Sequence, residues 1–451
     1  MSLDDGSLPL LTEALARLEA GFASLPDCTH QTDHAVMNEI LQEVAVRLQE
    51  TPPHHHPLYL GQMLKPPHPV ARLAYALTMW LNPNNHALDS SPASSQMEKD
   101  AVEQLAGMFG WESHLGHLTS GGTFANLESL WIAGQLQPSK TIVASSQAHY
   151  THERISAVLR LPFETIPADE SFRIDLQALE ARLAQGNVGT VVVTLGTTGV
   201  GAVDALPEIL ELRERYGFRI HVDAAYGGYF TLASGLSRDT RRAFDLLDRV
   251  DSLVVDPHKH GLQPYGCGCV LFRDPTVGRF YQHDSPYTYF TSDELHLGEI
   301  SLECSRSGAS AAALWATTRL LPLVRDGEFS HGLDRSLQAA RSLAERIADS
   351  PSFRLTVPPE LDILVFACRG PSATAISASS RRFFEAARQK DLHFALIDLP
   401  TEFLRSRWPD VQFDDSTVTC LRSCLMKSEH LDWFDRIWDR LQQVIATISA
   451  E

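Results

Sequence analysis

The sequence predicts an α/β fold with a central, mostly parallel sheet covered by helices, preceded by a helical segment and followed by a smaller α+β part. Three observations carry that reading. From about residue 140 to 275, apolar runs of strand length alternate with stretches of helical spacing. Two of those runs end on an acid: Asp223 closes Arg219-Ile-His-Val, and Asp256-Pro257 stops Ser252-Leu-Val-Val. After Pro322 the alternation gives way to long helices with two strands between them. The divisions follow: residues 1–65 as a helical arm and linker, 66–324 as a large domain, and 325–451 as a small domain.

Taken in order, the arm reads as two amphipathic helices. The second runs from about Asp33 to Gln49 and places Val36, Ile40, Val44 and Leu48 on one stripe, a pattern suited to pairing subunits. Thr51 to His68 is rich in Pro and His and irregular; helical spacing resumes from Val70 to Leu81 and ends at Asn82-Pro-Asn-Asn85. A helix from Gln96 to Phe109 leads to Thr119-Ser-Gly-Gly-Thr-Phe-Ala-Asn126, a glycine turn that opens a helix from Phe124 to Ala133. Strands are expected at Thr141 to Ala144, Thr190 to Leu195, Arg219 to Val222, Ser252 to Val255 and Cys269 to Phe272. The helices expected between them are Tyr150 to Leu159, Leu176 to Gln185, Leu206 to Tyr216 and Arg241 to Leu247. A helix from Ala309 to Leu321 closes this part. Beyond it come helices at Leu333 to Ile347, Ser379 to Lys390 and His430 to Ile448, and strands at Ile363 to Phe366 and Ser416 to Leu421.

Composition narrows the function. A formal net charge of −18 disfavours nucleic acid and anionic membranes as partners and points to a small-molecule ligand. The start of the chain, with Asp4 and Asp5, lacks the basic region of a secretory signal, and apolar runs of about 18 residues do not occur, so a cytoplasmic enzyme is expected. Seven cysteines, an odd number on a long chain, suit free thiols in a reducing compartment. His54-His-His56 lies among Pro52, Pro53 and Pro57 and reads as extended linker, and no cysteine pair has the spacing of a zinc site, so no metal is expected.

Lys259 is the residue on which the chemistry centres. Three apolar residues, Leu253 to Val255, precede Asp256-Pro257, so His258 and Lys259 emerge just past a strand's carboxyl end, where open α/β sheets bind ligands. A lysine so close to the core suits covalent attachment to a carbonyl compound, with desolvation and a nearby cation keeping the amine nucleophilic. Gly121, Gly122 and Thr123 can simply cap a helix, or can turn their N–H groups and the Thr123 hydroxyl onto a phosphate. Asp223, at the end of a buried strand, needs a cation or donors around it; it can cap a following helix or meet a protonated pyridine nitrogen. Ala225, two residues on along an extended chain, falls on the same side. The glycine turn is not G-x-G-x-x-G, which weighs against a dinucleotide-binding module.

The ordered set Thr119-Ser-Gly-Gly-Thr, Gln147-Ala-His149, Thr194-Leu-Gly-Thr-Thr198, His221-Val-Asp-Ala-Ala225 and Asp256-Pro-His-Lys259 resembles the group II pyridoxal-phosphate-dependent amino-acid decarboxylases, from about Leu60 to Met426. The resemblance implies a fold-type-I enzyme that uses pyridoxal 5′-phosphate, pairs as a homodimer, and decarboxylates an L-amino acid to its amine through a Lys259 aldimine and a quinonoid intermediate. It implies that His149 stacks on the cofactor ring, and that Ala225 lies against the opposite face. Thr198, ahead of Thr197, lies beside the ring, with Asp256 near the cofactor and His258 against its phosphate or the substrate. Arg306, in Glu303-Cys-Ser-Arg306, lies near the phosphate, unless it serves only as a salt bridge. Tyr287 or Tyr289, in the polar stretch His283 to Asp293, protonates Cα. Phe124 stands where many relatives carry Glu, and this loop is shorter than in animal relatives. A carbon–carbon lyase, an aminotransferase or an idle cofactor carrier on the same scaffold are the alternatives. For the substrate, Lys65, His68 and His86 suit an acidic side chain, Tyr59, Met63 and Trp80 an aromatic one, and the segments Leu60 to Pro69 and Asn82 to His86 hold no carboxylate, which leans away from diamino acids.

Overall fold

A computed structural model describes residues 3, 5–26, 32–282 and 296–450. Its N-terminal helices are α1 (Leu8–Ala20), α2 (His34–Leu48), α3 (Pro69–Thr78) and α4 (Pro92–Met108). Asp33 caps α2 through the amides of Ala35 and Val36, and Pro69 opens α3. The stripe on α2 has no core to enter: Val36, Ile40, Val44 and Leu48 are all exposed.

The central sheet has seven strands. They are β1 (Leu115–Thr119), β2 (Thr141–Ser145), β3 (Phe163–Ile166), β4 (Val188–Thr194), β5 (Arg219–Asp223), β6 (Ser252–Val255) and β7 (Gly268–Phe272), in the order β1-β7-β6-β5-β4-β2-β3. The run β3-β2-β4-β5-β6 is parallel, while β7 is antiparallel to both β6 and β1. Helices α5 (Gly122–Leu136), α6 (Thr151–Leu159), α7 (Leu176–Ala184), α8 (Leu206–Tyr216) and α9 (Arg238–Phe244) connect the strands. Strand β4 shows why the runs are apolar throughout: Val191 and Val193 enter one core, while Val192 packs on the other face with Leu130 of α5 and Ile155 of α6. Full burial of a side chain such as Val192 contributes about 1.5–3 kcal/mol.

After α10 (Gly308–Leu320) come α11 (Glu328–Ala348), α12 (Ala373–Arg388) and α13 (Phe434–Ala450), around a four-stranded antiparallel sheet. Its strands are β8 (Phe353–Leu355), β9 (Ile363–Cys368), β10 (Ala395–Pro400) and β11 (Thr417–Cys424), ordered β10-β11-β9-β8. Phe353, Phe366, Phe383 and Leu441 fill a separate core there.

Four strands escape the sequence reading. Leu115-Gly-His-Leu-Thr119 carries a glycine and a histidine, and Phe163-Glu-Thr-Ile166 is a half-exposed edge strand with little apolar signal. Phe353–Leu355 is only three residues long, and Ala395–Pro400 is an edge strand ending in proline. No described helix is long and apolar enough to cross a membrane.

Candidate active site

The carboxyl ends of β4, β5 and β6 open onto one cavity of about 500 Å³ whose walls include Gly121, Gly122, Thr123, His149, Thr198, Asp223, Ala225, Asp256, His258 and Lys259. Residues from five separated stretches of sequence therefore meet where strand ends leave a crevice.

The loop after β6 is tied down on both sides. Asp256 N donates to the Ala225 carbonyl at 3.2 Å, His258 N to the Cys267 carbonyl at 3.1 Å, and Lys259 N to the Asp256 carbonyl at 2.9 Å. The turn thus aims the lysine back over its own strand end. Lys259 Nζ lies 3.1 Å from Asp256 Oδ2. The neighbour is a carboxylate, where the sequence reading expected a cation. His258 Nδ1 donates to the Cys267 carbonyl at 2.7 Å, its ring lies against Tyr265, and burial lowers its pKa despite the opposing pull of Asp256.

Opposite the lysine, α5 points its first turn at the cavity. Gly121 has φ +152°, which favours glycine, and a Cβ on Gly122 would stand 2.7 Å from Asp256 Oδ2. The first N–H groups of a helix have no partners within it, so this end offers donors to an anion.

Asp223 is buried, and its surroundings are a network that the sequence reading missed. His152 Nε2 meets Asp223 Oδ2 at 2.8 Å, and the Ala225 amide donates to Oδ1 at 3.1 Å. Asn126 of α5 lies 3.4 Å from Asp223 Oδ2 through Nδ2, and its Oδ1 is 2.8 Å from His221 Nε2. Burial alone would raise the Asp223 pKa, but the His152 hydrogen bond and charge, Lys259 and the Ala225 amide outweigh it and hold the group well below the ordinary carboxylate value. Two signals were available: His152 follows His149 by three residues at the start of a helix, and His221 shares a strand face with Asp223.

The remaining expected residues divide. His149 lies in the wall, its Nδ1 2.8 Å from Thr151 Oγ1, with burial lowering its pKa. Thr198 lines the cavity, whereas Thr197 is buried and its hydroxyl accepts from the Ala202 amide at 3.0 Å. Ala225 is in the wall because the chain turns after Asp223, with the Asp223 side chain bonding its amide; the extended path assumed from the sequence is not taken. Arg306 does not line the cavity. Its Nη1 is 2.6 Å from both Glu98 Oε1 and the Leu118 carbonyl, the buried ion pair that was the alternative role for it. Tyr287 and Tyr289 lie outside the described residues. Phe124 is also in the wall, and Ser120, Asn126, Thr151, Thr194, Gly196 and Tyr226 complete it without having been given a role from sequence.

The substrate-side residues are dispersed. Lys65 Nζ donates to the Met426 carbonyl at 3.2 Å, away from the cavity wall. His68 caps α3 through its Nδ1, Tyr59 is buried, and Trp80 is exposed. None of them lines the cavity.

The profile of the pyridoxal-dependent decarboxylase conserved domain matches residues 23–369. An L-tyrosine decarboxylase from Enterococcus faecium is 29% identical over 421 residues, spanning 71% of this chain and 68% of that protein. A probable L-aspartate decarboxylase from Pyrococcus furiosus is 28% identical over 310 residues, 68% of this chain and 81% of that protein. An L-2,4-diaminobutyrate decarboxylase from Acinetobacter baumannii is 29% identical over 352 residues, with coverages of 69% and 67%. Among solved structures, mouse CSAD superposes with a TM-score of 0.78 at 21% identity, covering 96% of this chain and 91% of that one. Oryza sativa TDC with PLP and tryptamine gives 0.78 at 15% identity, covering 99% of each chain. At these identities the two structures show likeness of fold.

Proposed function

The chain belongs to the pyridoxal-dependent decarboxylase family and is an amino-acid decarboxylase that uses pyridoxal phosphate, and from that premise we propose how its residues divide the work. The observation that carries the reading is the buried Asp223 carboxylate, held by His152 in the cavity that Lys259 also lines. The cavity suits the cofactor on three counts. A helix N-terminus supplies donors for a phosphate, an amine stands at a strand end, and buried Asp256 Oδ1 and Thr194 Oγ1 lack partners at its edge.

Lys259 is the amine that carries the cofactor covalently and yields it to the substrate's amine. Gly121, Gly122 and Thr123 hold the phosphate. Asp223 keeps the proton on the ring nitrogen, and His152 and the Ala225 amide keep Asp223 ionised to do so. His149 and Ala225 would pack against the ring, Thr198 and Asp256 would lie beside the cofactor, and His258 would face its phosphate or the substrate, all five lining the same cavity. The cofactor, when bound, supplies an electron-accepting ring for the pair left as the bond from Cα to its carboxylate breaks. Carbon dioxide leaves and one proton enters at Cα, so an L-amino acid becomes its amine. Tyr287 and Tyr289 are the proposed donors of that proton.

For the substrate we keep acidic and aromatic L-amino acids together. The wall's two carboxylates both belong to the cofactor end of the cavity, Asp223 bonded to His152 and Asp256 beside Lys259, and the described wall holds no further acid for a distal ammonium. A panel of the common L-amino acids, read by carbon dioxide and amine, tests this. Turnover of acidic or aromatic members supports it, and a clear preference for a diamino acid refutes it. We also propose a homodimer, supported by the exposed apolar stripe of α2.

A further inference from the structure

A separate cavity of about 410 Å³ lies between the segment leading into α3 and the stretch after β11, and it shares no wall residue with the cofactor cavity. Two lysines face it. Lys427 is buried; its Nζ donates to the Tyr59 carbonyl at 2.7 Å and lies 5.3 Å from the centroid of the Tyr59 ring. Lys65 Nζ donates to the Met426 carbonyl at 3.2 Å. Each ammonium therefore spends one donor on a neutral carbonyl. Among the described residues neither forms a salt bridge, and Asp362 and Glu429 act on Lys65 only from farther away. Burial lowers Lys65 to about 8 and Lys427 to about 7, the latter helped down by the charge of Lys65.

The rest of the wall offsets them only in part, through Glu429, which makes no salt bridge to either lysine. Asp5 is taken by Arg72 at 2.7 Å, His55 and His68 add further imidazoles, and Glu429 is the remaining acid. Two lysine ammonium groups withdrawn from water, with Asp362 and Glu429 beyond salt-bridge distance as their only carboxylates, are incompletely compensated, and an anion held by both favours their charged forms.

We propose that this cavity binds a small oxyanion, a carboxylate or a phosphate, between Lys65 and Lys427. Leu262 on the same wall lies three residues beyond Lys259, so the occupant abuts the loop that carries the amine. The proposal does not rest on the decarboxylase reading.

Titration calorimetry on the holoenzyme, whose own phosphate cradle is filled, tests it with inorganic phosphate in one arm and succinate in the other. One saturable site per chain is expected with at least one probe, and the probe that binds tells phosphate from carboxylate. Binding should weaken about tenfold or more in Lys427→Met and, separately, in Lys65→Met, and persist in Lys140→Met, whose lysine is exposed elsewhere. Either lysine variant, shown folded by circular dichroism, decides the matter alone. Absence of saturable binding to wild type, or equal binding by the lysine variants, overturns the proposal.

Discussion

His152 Nε2 stands 2.8 Å from Asp223 Oδ2, with the two side chains only 1% and 7% exposed. Since a carboxylate only accepts, His152 supplies the proton of that bond from Nε2. The pair sits at the end of β5, so the first turn of α6 sets the charge state of a residue on a neighbouring strand. His152 is a positioning residue in this arrangement, acting through Asp223.

His152→Ala should lower kcat by about tenfold or more while leaving cofactor affinity largely intact, because binding rests mainly on the phosphate cradle and Lys259. Losing the bond raises the Asp223 pKa, so the acid limb of the pH profile should move to higher pH. His152→Gln, which restores an N–H donor, should recover part of both. A variant that loses rate with an unmoved acid limb would argue for simple disruption of packing.

Stability should fall in acid partly through His430. Burial pushes its pKa from 6.5 down to about 3. Between those values the unfolded chain binds a proton that the folded chain does not, so stability present above 6.5 is lost as pH falls, by up to about 1.4 kcal/mol per pH unit. Asp204, raised from 3.8 to about 6 by burial, acts in the opposite sense over its own range, but equally in wild type and variant. Urea unfolding at about pH 7 and about pH 5 should therefore show His430→Gln losing about 2 kcal/mol less than wild type. Equal losses would contradict the assignment.

The sheet and its ligand-bearing edge were legible because β4 and β6 are mostly apolar, β5 alternates Ile220 and Val222 with polar residues, and the three end on Thr194, Asp223 and the Asp256 turn, so period and punctuation agreed. Lys259 followed from that edge. What sequence hid was pairing across the fold. Arg306 looks like a ligand for phosphate until its partner Glu98, 208 residues away, is brought to 2.6 Å. His152 looks like a helix-surface residue until the start of α6 is brought to the end of β5, with Nε2 2.8 Å from Asp223 Oδ2. Lys65 likewise reads as a substrate contact, because nothing in a proline-rich stretch reveals that the Met426 carbonyl will take its ammonium.

The exposed stripe on α2 gives a prediction about assembly. Val36, Ile40, Val44 and Leu48 are between 47% and 63% exposed, an apolar face that a second copy of the chain would cover. Sedimentation should find a dimer for wild type and a shift toward monomer when Ile40→Glu and Val44→Glu are combined. A wild type that is active as a monomer would refute the arm's role.

The assignment of Lys259 as the cofactor-bearing amine is tested most directly by borohydride reduction of the holoenzyme followed by peptide mapping. The expected result is loss of the visible absorption band with one pyridoxyl label per chain, fixed on Lys259 and absent from an inactive Lys259→Ala variant. A label on another lysine, or a Lys259→Ala protein that keeps both the band and its release of carbon dioxide, would contradict it.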